Sequence, residues 1–207
     1  MNTVSHPSRF FAHHGVSLLW SLHFPGIASM PPPDAMFRHL LGADAFDALP
    51  MPLQRLHLQQ GHRIYRGEVE VLRGRSLLSR LCAWVTRLPP AGTSPIAVEI
   101  VSDAQREQWT RHVGQHAMAS TLWAGEGVLC ERLGLVTFGF RMQTREGGID
   151  WIVHQVRVLG VLPLPASWFS QVAAREWADG DIYHFDVQAA LPVAGPLVHY
   201  RGWLSVP

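Results

Sequence analysis

The sequence has no lysine: all 17 of its basic side chains are arginine. Two mechanisms fall away with it, Schiff-base catalysis by a lysine amine and phosphate gripping by a P-loop lysine. A genome rich in G and C is the simpler source of the bias. Cysteine is scarce, with only Cys82 and Cys130 present. Two isolated cysteines set out neither a zinc site nor a disulfide scaffold. Both stand among apolar neighbours and are expected as buried free thiols. Long apolar runs are missing as well. Val16–Phe24 is interrupted by Ser17, Ser21 and His23, and falls short of the about 20 residues a spanning helix needs. No clean signal peptide precedes it, so a cytoplasmic location is expected. Charge of one sign is also lacking. The net charge is +1 and mixed along the chain, which gives nucleic-acid binding little basis. Neither G-x-G-x-x-G nor G-x-S-x-G occurs, so no dinucleotide fingerprint or nucleophile elbow is available.

What the chain does have is alternation. Gly125–Met142 reads as a hairpin, two apolar-alternating runs meeting at a glycine turn. Ten strands are predicted: 64–72, 96–102, 107–113, 116–123, 127–133, 136–144, 149–159, 172–177, 182–190 and 197–204. Turn residues mark most joints, among them Glu146-Gly147-Gly148 and Asp179-Gly180-Asp181. Residues 76–88 form the best helix, with Leu77, Leu78, Leu81, Trp84, Val85 and Leu88 on one stripe that is expected to pack on the sheet. Pro89-Pro90 stops it. Short helices are predicted over 35–41, capped by Asp34, and again near 44–49 and 53–58. The strands do not alternate with helices, which argues against a doubly wound parallel sheet.

The fold expected is α+β and mostly β. It is a curved antiparallel sheet or partly closed β-barrel, with helix 76–88 packed on it and short N-terminal helices before it. Closure would remove the exposed edges of so many strands. Residues 1–33, with one arginine, no acid and Pro31-Pro32-Pro33 at the end, read as a flexible extension. Residues 34–207 are expected to form a single β-rich domain.

Candidate site residues come from charge and aromatics inside strands. Arg111 and Glu131 stand first, since both sit in central strands with apolar residues two positions to either side. Glu176, Glu68, Arg141, Trp109 and Tyr200 complete the group. On an open sheet such charges form the solvated face. In a barrel, inward ones must pair or meet a polar ligand, because burial of a lone charge costs several kcal/mol. His112 and His116 are four apart, but no third ligand can be named, so no metal and no cofactor are expected. His184 and Asp186 alternate with Tyr183 and Phe185, and a solvated strand face is the simpler reading of the former pair.

A set of short motifs, taken in order, is similar to a known family. They include Leu41-Gly42-Ala43, Leu56-His57, Gly67-Glu68-Val69-Glu70, Leu88-Pro89-Pro90-Ala91-Gly92 and Trp109-Thr110-Arg111. Ala174-Arg175-Glu176 and Leu197-Val198-His199-Tyr200-Arg201-Gly202-Trp203-Leu204 follow. Over about residues 35–204 the chain resembles a bacterial family known as domain of unknown function 4166. The resemblance implies either a free-standing domain or one placed after a saccharopine-dehydrogenase-like NAD(P)-binding domain or a membrane segment. It brings no activity with it. Whether the chain is an enzyme stays open. The first expectation is binding of a small amphipathic or lipid-like ligand in a barrel cavity. The alternatives are an enzyme or accessory domain acting with an NAD(P)-dependent reductase, and a structural module that pairs through an exposed strand edge.

Overall fold

The computed structural model describes residues 35–103 and 105–207. The expected extension 1–33 and the Asp34 cap lie outside them. Three short helices come first: α1 (Met36–Leu41), α2 (Ala43–Asp47) and α3 (Met51–Leu58). The strands follow as β1 (Gly61–Arg73), β2 (Gly92–Ser102), β3 (Arg106–Val113), β4 (His116–Gly125), β5 (Val128–Leu133), β6 (Val136–Arg145) and β7 (Gly148–Val158). After these come β8 (Leu162–Leu164), a 3-10 turn (Ala166–Phe169), β9 (Gln171–Asp179), β10 (Ile182–Leu191) and β11 (Gly195–Ser205). Helix α4 (Leu77–Val85) interrupts the chain between β1 and β2. All ten predicted strands are present. The short β8 was not foreseen, because Pro163 and Pro165 mask it as irregular chain.

Every pairing is antiparallel. The run β6-β5-β4-β3-β2-β1-β11-β10-β9-β7 returns on itself through β6–β7, so ten strands close into a barrel. Closure is thus complete rather than partial. Among the described residues, each barrel strand is paired on both sides and only β8 keeps a free edge. Tight hairpins make this possible. Glu126-Gly127 and Glu146-Gly147 both hold positive φ at two successive residues, the backbone of the two-residue turns that match strand twist.

Alternation fixes what points inward. On β1, Tyr65, Val69 and Val71 are buried while Arg66, Glu68 and Leu72 are exposed. Gly67 leaves no room for a side chain between β1 and β11: a Cβ there would stand 1.7 Å from the Trp203 carbonyl oxygen. The interior side chains, with Phe37, Phe46, Leu53 and Leu56 from the N-terminal helices, form one core.

The two ends differ in how they are covered. At the first end lie the starts of β1 and β7 and the turns at 103, 126, 146 and 180. Helices α1 and α3 cover it, with Phe37 and Leu53 from them and Phe46 from α2 fully buried. At the opposite end β7 diverges from β9: it pairs Ile149–Ile152 with β9 but Val156–Val158 with β8. Phe169 from the 3-10 turn fills the wedge, edge-on to Phe138 at 5.9 Å. Helix α4 also sits at this end.

The orientation of α4 corrects the expectation drawn from its stripe. The helix packs through its small residues: Ser79 and Ala83 are buried, Ser76 Oγ donates to the Ala194 carbonyl, and Ser79 Oγ donates to that of Pro196. Leu77, Leu81 and Trp84 point outward and are exposed. Backbone hydrogen bonds on the strand turn, reached only by short side chains, set this face. Ser76 caps the helix, accepting from Ser79 N at 3.0 Å. Arg87, at φ 53°, ends it before Pro89. The Arg73 guanidinium then ties the following chain down through the Leu88 and Pro89 carbonyls.

Candidate functional site

The barrel interior holds a cavity of about 130 Å³. Most of its wall is apolar, supplied by Val98, Met118, Phe140 and Phe185 among others. It reaches the α4 end, where Thr86, Leu88, Phe169 and Leu191 border it. The other side is floored by aromatic rings: Phe37 of α1 lies 5.6 Å from Trp151 and 6.5 Å from Trp109.

Three strands deliver charge into this apolar space. Arg111 of β3 points inward with its flanking alternate residues Trp109 and Val113. Its Nη1 donates to Ser120 Oγ at 2.9 Å, and its Nη2 donates to Glu131 Oε1 of β5 at 3.1 Å. The guanidinium also stands 5.2 Å from the Trp109 ring centroid, in cation–π range. Arg111 and Glu131 are only 9% and 5% exposed, so the pair exists because each charge compensates the other's desolvation. Burial alone would lower the Arg111 pKa, but Glu131, then Tyr200 and Tyr183, carry it net upward. The guanidinium therefore stays charged.

A second polar group occupies the boundary with the helical cover. His57 of α3 is stacked on Phe37 at 3.6 Å, and its Nε2 meets Glu176 Oε2 of β9 at 2.6 Å. His57 Nδ1 is buried and finds no partner among the described residues. Tyr183 also hydrogen-bonds Glu176, and burial first, then Glu176, pushes its hydroxyl well above the usual phenol range. Trp109 Nε1 donates to Glu107 Oε2 at 2.7 Å. Burial raises the Glu107 carboxyl, with the nearby His57 pulling the other way. Tyr200, opposite Arg111, is pushed up to about 12 chiefly by burial. Both phenols thus remain donors at neutral pH.

Chemically the arrangement offers hydrogen bonding more readily than bond breaking. Ser120 Oγ accepts from Arg111, a group that cannot take its proton, so it is not an activated nucleophile. Arg111 carries five N–H donors and its bonds to Ser120 and Glu131 use two nitrogens, which leaves donors for a ligand oxygen.

Five of the seven candidate residues, Trp109, Arg111, Glu131, Glu176 and Tyr200, line the one cavity. Glu68 and Arg141 stand exposed on the outer face and do not join them. Tyr183, Glu107 and Ser120 were not singled out. The first two were legible as strand mates, Glu107 alternating with Trp109 and Arg111, and Tyr183 with Phe185. Ser120 carried no signal, because a serine in a strand is ordinary until a buried arginine faces it. His112 and His116 do not converge. His112 Nε2 meets Glu99 Oε2 at 3.1 Å, and His116 donates to the Arg87 carbonyl. Among the described residues no group of three His, Cys, Asp or Glu could hold a metal ion. His184 and Asp186 are half-buried, whereas Tyr183 and Phe185 face the interior. Cys82 and Cys130 are free thiols. No helix of the described residues is long and apolar enough to cross a membrane.

Comparison with known proteins gives a family but no activity. The family described as "Domain of unknown function (DUF4166)" matches residues 49–204. No curated protein matches the chain. Among solved structures, the chain is similar to Rv2717c from M. tuberculosis, at 12% identity over 77% of this chain and 99% of that one, with a TM-score of 0.38.

Proposed function

The chain belongs to the DUF4166 family, and we propose that it acts as a binding domain for a small amphipathic, lipid-like molecule held inside the barrel. The observation that carries this reading is an apolar cavity of about 130 Å³ inside the barrel with a charged pair, Arg111–Glu131, in its wall. A cavity of this size resembles engineered apolar sites of about 150 Å³ that take a single benzene ring. It is small beside the about 300–1,000 Å³ of drug-sized sites. The ligand is therefore one ring or a short chain, with an oxygen-bearing head. The apolar body lies against Val98, Met118, Phe140 and Phe185. The head accepts from spare Arg111 donors and from the Tyr200 hydroxyl, both charged or protonated as a donor requires.

Native mass spectrometry of the gently purified protein, followed by a thermal-shift panel of short-chain fatty acids, fatty alcohols and aromatic alcohols, tests the proposal. A bound mass, or a rise in melting temperature with at least one chain-length series, is expected. Met118→Trp, which fills the cavity, should abolish that response while the protein still folds. A ligand-free protein unmoved by every probe would refute the reading.

A further inference from the structure

We propose that the α4 end of the barrel docks on the surface of an anionic lipid bilayer. The inference goes beyond the ligand reading and does not depend on what fills the cavity.

Apolar side chains crowd this end and stand exposed among the described residues. Leu77 is 81% exposed, Trp84 77% and Val193 87%, and Leu81, Val161 and Trp168 are more than half exposed. They come from three separate elements: α4, the loop around β8, and the β10–β11 turn. Singly exposed apolar residues need no explanation, but several of them converging on one pole of a barrel do.

Charge decides which partner suits them. The turns of the opposite end carry acid, with Asp103, Glu126, Glu146 and Asp181 in them and Asp179 at the rim. The turns of the α4 end carry none, and no Asp or Glu occurs anywhere from residue 71 to 98 or from 151 to 175. Arginine takes its place: Arg75, Arg80 and Arg87 flank or belong to α4 and are all exposed. A helix with exposed leucine and tryptophan on one side and arginine at its flanks is the composition of an interfacial segment. The rings and aliphatic chains enter the headgroup boundary while the guanidinium groups meet lipid phosphates. A protein partner or a second copy would require complementary acids on the facing surface. A second copy using this same end offers none.

The full-length protein is sedimented with vesicles of phosphatidylcholine alone and of phosphatidylcholine mixed with phosphatidylglycerol. Binding to the mixed vesicles is expected, roughly ten-fold weaker on the neutral ones and falling as salt screens the arginines. Leu81→Ser with Trp84→Ser should reduce binding to both vesicle types roughly ten-fold or more. Arg80→Glu with Arg87→Glu should remove the preference for the anionic lipid. The melting temperature shows whether each variant is folded. Because none of these four residues lines the cavity, ligand retention by native mass spectrometry should persist, so failure of docking is separable from failure of the ligand reading. Absence of the full-length protein from the anionic vesicle pellet would overturn the proposal. So would concentration-dependent self-association that the Trp84→Ser variant loses, since the patch would then serve a second copy.

Discussion

The two ends of this barrel are covered by helices in opposite senses. At one, α1, α2 and α3 turn their large side chains inward, and Phe37, Phe46 and Leu53 disappear from solvent. At the other, α4 turns Ser79 and Ala83 inward and leaves Leu77, Leu81 and Trp84 outside. By composition α4 is the more hydrophobic candidate for a core helix, yet it contributes almost nothing large to the core. An apolar stripe identifies a surface that wants cover; it does not say that the cover comes from the same chain. The acids follow the same division, crowding the turns of the well-packed end and missing from those of the other.

The largest effect expected is at the packed end. Phe37→Ala removes a ring stacked on His57 and near two tryptophans, and should cost about 3–5 kcal/mol in urea or thermal unfolding. An effect under about 1 kcal/mol would mean that the helical cover is not part of the core, and the contrast between the ends would collapse. Between the ends, Glu131→Ala leaves the Arg111 guanidinium buried without its partner and should cost about 3 kcal/mol or more. Arg111→Met combined with Glu131→Leu should recover most of that loss, and a double-mutant cycle measures the difference. The recovered double variant should retain no polar-headed ligand.

A smaller effect is set by pH. The folded-state pKa of Glu107 is raised by burial, so the folded protein binds its proton more tightly than the unfolded chain. Its contribution to stability is then fully present below the ordinary glutamate range and is lost as pH rises through the raised folded value. Glu107→Gln can still accept from Trp109 but has no proton to lose. Thermal melts from acid to neutral pH should therefore show a flatter decline for the variant, with the wild type losing up to about 1.4 kcal/mol more per pH unit inside that window. Parallel curves would mean that Glu107 is not the group responsible. The smallest effect belongs to α4. Trp84→Ser should change stability by less than about 0.5 kcal/mol, and a loss comparable to that of Phe37→Ala would show that the two ends are packed alike.

Much of the site was readable along single strands. Period-two alternation placed Trp109 and Arg111 on one face of β3, and Glu131 inside an apolar β5. The same logic put Glu68 opposite Val69, and its exposed place on the outer face follows from that. Arg141 and Glu131 each follow an apolar residue within a strand, yet one is outside and the other inside. Local pattern gives the two faces of a strand without saying which of them becomes the interior. His57 shows the converse. It reads as one inward residue of a short helix, and only the return of β9 supplies the Glu176 that it meets at 2.6 Å.

The sequence by itself determined ten strands and their turns. Alternation and the glycine-bearing hairpins are properties of a few neighbouring residues and need no distant partner. Only the tertiary structure decided that β6 meets β7 to close the barrel, which strand faces enclose the cavity, and that Arg111 finds Glu131 there. It also decided that the leucines and tryptophan of α4 look outward. Each of those outcomes depends on contacts between segments far apart in the chain, where the geometry of closure and the desolvation of charge outweigh any local preference.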